Sequence, residues 1–302
     1  MLNRSGQLVG RMVGGLGNQL FIWSATNYFA DKFEKPPAFE IVDHRKFVLG
    51  EILRNDVTSV QKSRVCALLS NWIVKVSRLG GFFQPGCNAI FGIFVQNEIG
   101  YSEDEQPTRK TSYLVGYFQS HRYLKAETKE SIRMELDLSL VSENSIQALN
   151  NFIQSGGIGI HIRLGDYLKP ENEYFGILDP AYYMNSLKDL GVASGSTIWV
   201  FTDSPEIARE IYAKSLESVY KIIWPSQLYK ATSIEEFKLL ANSKKIVIAN
   251  STFSWWAAYL SDAGTNVRYP SNWFRYANNP KELAPTNWSP IDSVWLKHRI
   301  GE

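Results

Sequence analysis

The spacing of apolar and polar positions divides this chain into alternating strands and helices. Near the start, an apolar run over Leu8–Val13 reads as a strand. The glycines of MVGGLGNQLF (residues 12–21) read as a turn, and Asn18–Phe33 as a helix that Pro36 and Pro37 close. Short strands are expected at Phe39–Val42, Ile93–Val95 and Ser112–Tyr117, and a charged helix at Arg122–Leu136. From about residue 156 the alternation is cleaner. It runs strand Ile158–Arg163, helix Pro180–Leu190, strand Ser196–Thr202, helix Pro205–Lys214 and helix Ser233–Ser243. Strand Lys245–Ala249, helix Phe253–Ser261 and strand Asn266–Tyr269 follow. Ser233 with Glu236 three residues later reads as a capping box. Strands alternating with helices imply a parallel α/β sheet. The polar stretch SENSIQALNNFIQSGG before the first clean strand sets a boundary near 140–156, dividing the chain into 1–150 and 151–302.

Composition narrows the class. With 302 residues, 44% hydrophobic and 21% charged, the chain has the make-up of an ordinary globular protein of two domains or one large one. A net charge of +2 gives no whole-chain argument for nucleic acid. Aromatic residues reach 13%, with nine Trp and fifteen Tyr, which suits both large cores and sugar-handling surfaces. Cys66 and Cys87 show neither metal spacing nor a disulfide framework, as expected of a reducing compartment. MLNRSGQ has no apolar core of a signal peptide, and no run of about 18 apolar residues occurs. A cytoplasmic protein is expected, with contact at the inner face of a membrane open through one stretch. Across Arg64–Arg78, helical spacing gathers Arg64, Asn71, Lys75 and Arg78 on one stripe and Val65, Leu68, Leu69, Trp72, Ile73 and Val76 on the other side. Such a helix can lie on an anionic bilayer or pack on a core with a solvated basic edge.

Four segments carry candidate chemistry. In the first, Gly15 and Gly17 fit two glycines of a dinucleotide fingerprint, but Leu20 stands where the third belongs, and no Lys follows as in a P-loop. A tight turn needing glycine's positive φ is the alternative. In the second, GIGIHIRLGDYLKP (residues 157–170), alternation puts His161 and Arg163 on one face at the carboxyl end of a parallel strand, with Asp166 in the turn. The alternative is a surface Arg–Asp pair beside a packed His. In the third, KKIVIANSTFSWWAAYL (residues 244–260), a strand ends in Asn250-Ser251-Thr252 and a helix begins near Phe253 and Ser254. Free N–H groups there form an anion site, unless the hydroxyls simply cap the helix; Trp255-Trp256 reads as core. In the fourth, WVFTDSPEIAR, Asp203 could bind a base or ribose or cap the helix after Pro205. Polar turns at three strand ends describe the carboxyl edge of a nucleotide-binding sheet. No D-x-D follows a strand, and Glu103-Asp104-Glu105 sits before Pro107 in a loop. Without a metal, Arg163 and the helix start at 251–254 must carry the charge of a diphosphate.

GGLGNQLF, HIRLGDY, FTDS and NSTFSWWAAYL occur in the order found in bacterial α-1,2-fucosyltransferases, so residues 10 to 275 resemble the galactoside 2-fucosyltransferases of glycosyltransferase family 11. The resemblance implies an α/β, GT-B-like fold of two Rossmann-like domains facing across a cleft. Residues 1–150 would serve the acceptor and 151–302 hold GDP-fucose. It implies inverting transfer of L-fucose to the 2-hydroxyl of a galactoside, free or lipid-linked, in O-antigen or surface polysaccharide synthesis, with no metal or other cofactor. Gly14, Gly15, Gly17, Asn18 and Gln19 would face the donor, and Arg163 would grip the diphosphate. His161 and Asp166 would shape the site, and Asn250, Ser251, Thr252, Phe253 and Ser254 would contact the donor, with Asp203 a further donor residue. An acceptor-side base is wanted. Asp166, Glu171 and Glu173 are candidates, and Glu171, five residues past Asp166, matches the offset of the base in core-fucosylating relatives. Leu164 departs from the family's usual second Arg, removing one cation. Two other functions stay open: transfer of another GDP-sugar or to another hydroxyl, and sugar binding without catalysis.

Overall fold

A computed structural model of the chain describes residues 6–42, 47–54, 92–124 and 128–297. The amphipathic stretch at 64–78 and both cysteines lie outside the described residues. No helix among the described residues is long and apolar enough to cross a membrane.

The chain forms two units. The first comprises Met1–Asp137 with Pro280–Ala284, the second Leu138–Asn279 with Pro285–Glu302. The division falls ahead of the expected 150/151 boundary because the helix spanning that boundary, Glu143–Gln154, packs within the second unit. Its Phe152 sits 5.2 Å from the Trp199 ring and 5.9 Å from that of Phe201.

In the first unit, strands β1 (Leu8–Met12), β2 (Pro37–Ile41), β3 (Ile93–Val95) and β4 (Tyr113–Val115) form a parallel sheet in the order β2-β1-β4-β3. Helix α1 (Leu16–Phe33) follows β1 and buries residues almost all round, among them Leu20, Phe21, Ile22 and Phe29. Strand and helix approach closely at Gly10, where a Cβ would lie 2.1 Å from the Thr26 hydroxyl. Among the described residues, the charged segment after β4 is helical over α2 (Thr128–Glu135), with a 3-10 turn before it at His121–Tyr123.

In the second unit, β5 (Ile158–Ile162), β6 (Thr197–Thr202), β7 (Lys221–Ile223), β8 (Lys245–Val247), β9 (Val267–Pro270) and β10 (Ser289–Ile291) form a parallel sheet in the order β10-β9-β8-β5-β6-β7. Helices α3 (Glu143–Gln154), α4 (Pro180–Asp189), α5 (Ser233–Leu240) and α6 (Thr252–Leu260) belong to this unit. The capping box sits one residue earlier than expected. The Thr232 hydroxyl accepts from the Glu235 N–H at 3.3 Å, and the Glu235 carboxylate accepts from the Thr232 N–H at 2.9 Å. That register frees Glu236, which is buried. Leu164 is fully buried in the apolar core with Ile160, Ile162 and Tyr183, the opposite environment to half-exposed Arg163 beside it. Trp255 and Trp256 are fully buried.

Candidate active site

Strand β5 lies between β6 and β8, and all three run parallel, so the turns that follow them open side by side at one edge. Arg163 stands just past the end of β5. Its Nη2 pairs with Asp166 Oδ1 at 2.5 Å and its Nη1 with Asp203 Oδ2 at 2.6 Å. The guanidinium lies 5.3 Å from the centre of the Tyr167 ring. Burial disfavours its charge, but Asp203, Tyr167 and Asp166 more than offset this and hold its pKa above the ordinary value. Asp203 neither caps its helix nor stands open. Its Oδ1 accepts from the Leu164 N–H at 3.0 Å while Oδ2 holds Arg163, so it orients the cation. Gly165 makes this possible: its φ is +25°, and a Cβ there would lie 2.2 Å from Asp203 Oδ2.

His161 is buried and its ring stacks on Phe253, centroids 5.3 Å apart. Burial, with Arg163 adding to it, lowers its pKa to about 3, so the imidazole is neutral. Its Nδ1 has no hydrogen-bond partner among the described residues.

The turn after β8 is tied to the turn after β5 by the Tyr167 hydroxyl, which donates to the Asn250 carbonyl at 2.8 Å. Asn250 itself is committed to the protein: its amide donates to the carbonyls of Phe175 at 2.8 Å and Trp273 at 3.2 Å, so it clamps loops instead of facing outward. Ser254 is also buried and bonded to the Ser251 carbonyl at 3.2 Å. Ser251 is the N-cap residue of α6, yet its side chain caps nothing. The hydroxyl-capping alternative therefore fails, and the helix start presents uncapped N–H groups beside half-buried Thr252 and Phe253.

Two further groups were not legible as site residues. Glu236, on α5, lies near enough to Asp203 to feel its charge. Burial first and Asp203 second raise its pKa to about 8, with Ser226 at its side pulling the other way, and its Oε1 has no partner among the described residues. Tyr167 links cation and loop, as above. The signal for Glu236 was present in Thr232-x-x-Glu235, whose capping register leaves the next residue to turn inward beside Phe237.

Glu171 and Glu173 are exposed on a 3-10 turn, Pro170–Phe175, that Asn172 fastens to the Asp166 carbonyl at 2.8 Å. In the first unit, Gly14 takes φ +82° and Gly15 is the extended N-cap of α1, with open space where a Cβ would stand. Gln19 turns inward: its amide donates to the Gly14 carbonyl at 2.9 Å and its oxygen accepts from the Leu49 N–H at 3.0 Å. Asn18 accepts from the Gln119 amide at 3.0 Å, and Gly17 is buried in α1.

The arrangement joins a fixed guanidinium, an uncapped helix start, a neutral imidazole and a buried carboxyl along one sheet edge. This set suits an anionic nucleotide leaving group. The sequence pattern of Glycosyl transferase family 11 matches residues 101–289. An alpha-1,2-colitosyltransferase of Escherichia coli is 26% identical over 305 residues, covering 94% of this chain and 99% of the relative. The O-antigen biosynthesis glycosyltransferase WbnK of Escherichia coli is 25% identical, covering 91% of this chain and 97% of the relative. A galactoside 2-alpha-L-fucosyltransferase, SEC1 of Bos taurus, is 25% identical over 191 residues, 59% of this chain and 51% of the relative.

Proposed function

The chain belongs to glycosyl transferase family 11, and from that premise we propose that it transfers L-fucose from GDP-β-L-fucose to the 2-hydroxyl of a galactoside with inversion and without a metal. The observation that carries this reading is the uncapped start of α6 lying along the same edge as Arg163. The acceptor oxygen attacks C1 of the sugar as the bond from C1 to the diphosphate oxygen breaks, the electron pair leaving with GDP. The hydroxyl proton passes to a carboxylate, for which exposed Glu171 is the candidate. Negative charge grows on the diphosphate, where Arg163 and the N–H groups around Thr252 and Phe253 stabilise it; one such donor is worth about 3 kcal/mol. Arg163 reaches the phosphates by exchanging exposed Asp166 for them while Asp203 keeps its grip. Glu236 Oε1, buried and without a partner among the described residues, would be the acceptor for the N1–H and N2–H of guanine, and His161 contributes a neutral ring rather than a charge.

A second donor is favoured by the colitosyltransferase likeness: colitose is fucose lacking the 3-hydroxyl, so a single hydrogen-bonding position would separate the two donors. The test is to supply GDP-fucose and GDP-colitose separately, with lactose as acceptor and EDTA present, and to read GDP release and linkage. A 2-linked fucosyl product supports the first donor, and turnover restricted to GDP-colitose supports the second. Activity lost in EDTA and restored by Mg²⁺ or Mn²⁺, or sugar binding with no turnover of either donor, overturns the proposal.

A further inference from the structure

We infer that the aromatic ledge built on Tyr174 is the platform for the acceptor saccharide, an inference that rests on the reading of the chain as a sugar transferase. The ledge starts at the cation. Tyr167 lies under Arg163, and Phe175 stacks on Tyr167 with centroids 4.5 Å apart and planes 5° from parallel. Tyr174 sits 4.0 Å from Phe175 and 6.0 Å from Phe274, which backs both rings. Phe274 is buried, whereas Tyr174 is 44% exposed at the outer end of the stack. Tyr174 is thus held against two rings while part of its surface reaches solvent. The backbone is fixed as well, because the Arg275 N–H donates to the Tyr174 carbonyl at 2.9 Å.

Tyr174 also shares its 3-10 turn with Glu171. Side chains three apart in a 3-10 helix eclipse, so the candidate base and the exposed ring stand on one face. A pyranose offers an apolar C–H face to an aromatic ring and hydroxyls around its rim. Seated on Tyr174, it brings a rim hydroxyl to Glu171, and the chain of rings leads from that sugar to the cation that holds the leaving group. A base alone would not need a rigid, backed, half-exposed ring beside it; a base that must meet one hydroxyl of a sugar does.

The test uses lactose as probe, followed by saturation-transfer NMR on wild type, Tyr174→Ala and Tyr174→Phe, with GDP binding followed by calorimetry. Tyr174→Ala is expected to weaken lactose about tenfold, Tyr174→Phe to retain it, and both to hold GDP within about twofold of wild type. Where turnover is measurable, the alanine variant raises KM for lactose and leaves KM for the donor. Lactose bound equally by wild type and Tyr174→Ala, or by neither, overturns the platform, as does a parallel loss of GDP binding, which would mark a merely structural ring. A wild type that binds lactose through Tyr174 but binds no GDP leaves the platform standing and overturns the donor reading instead.

Discussion

Both units use the same local device, a parallel strand turning into a helix whose start no side chain caps. They surround it differently. After β1, α1 begins at Gly15 and the neighbouring polar groups are amides that bond within the unit: Gln19 bonds the Gly14 carbonyl and the Leu49 N–H, and Asn18 bonds Gln119. After β8, α6 begins at Ser251 along an edge that also carries Arg163, Asp166, Asp203, His161 and Glu236. Each helix start carries about half a positive charge. The dipole alone does not make a reactive site; a cation whose direction is set by two carboxylates does. On this contrast the proposed leaving-group stabilisation falls to the second unit.

The largest effect should follow removal of that cation. Arg163→Ala is expected to lower kcat/KM by about 10²–10³, with thermal unfolding changed little, since Arg163 stands past a strand end and not in the core. Arg163→Lys keeps the charge but not the fork that two carboxylates hold, and should recover only part of the loss. The contrast breaks if steady-state kinetics show Arg163→Ala near normal, or Asn18→Ala as damaging as Arg163→Ala.

A second, smaller effect lies in pH dependence. His161 is held at a pKa of about 3, below its ordinary 6.5, so the stability from burying it neutral is complete above about pH 6.5 and is lost as pH falls toward 3. Glu236 is held at about 8, above its ordinary 4.5, so the stability of its protonated form is complete below about pH 4.5 and is lost as pH rises toward 8. Each arm is on the order of 5 kcal/mol at full extent. Urea unfolding of wild type should therefore lose stability between pH 6.5 and 8.5, and Glu236→Gln should remove that loss while keeping the acid arm. Equal slopes in the two proteins would show that Glu236 ionises freely.

How much of this was readable in advance follows from the length and setting of each segment. β5, β6, β8 and β9 were legible because continuous apolar runs bounded by polar turns have few other uses in a parallel sheet. β7 and β10 were not: both are three-residue edge strands, and β10 carries Pro290, which only an edge tolerates. Within the site, Arg163 and the α6 start were legible because alternation and strand-end position decide them locally. The roles of Asp203 and Asn250 were not, because each is decided by a partner far along the chain: Leu164 and Arg163 for one, Phe175 and Trp273 for the other. The Arg–Asp pair and packed-His reading of the HIRLGDY segment holds, since Arg163 does pair with Asp166 and His161 is packed. The pairing is how the cation is aimed.

The smallest expected effect separates the two glycines at the first turn, and it bears on whether that turn is only architecture. Gly14 sits at φ +82°, and a Cβ there would lie 2.5 Å from the Asn18 amide nitrogen, so Gly14→Ala combines left-handed strain with a displaced side chain. A cost of about 1–3 kcal/mol is expected. Gly15 has an ordinary φ of −81° and no described atom within 4 Å of the missing Cβ, so Gly15→Ala should cost only about 0.5–1 kcal/mol, the difference between Gly and Ala at an N-cap. Thermal melts of both variants check the pair. Kinetics of Gly15→Ala then sharpen the comparison between the units. A protein as stable as wild type and equally active means the first turn needs only Gly14's backbone freedom. Little change in stability with a raised KM for GDP-fucose means the space above Gly15 is used by substrate, because no described atom of the protein stands where the methyl group would.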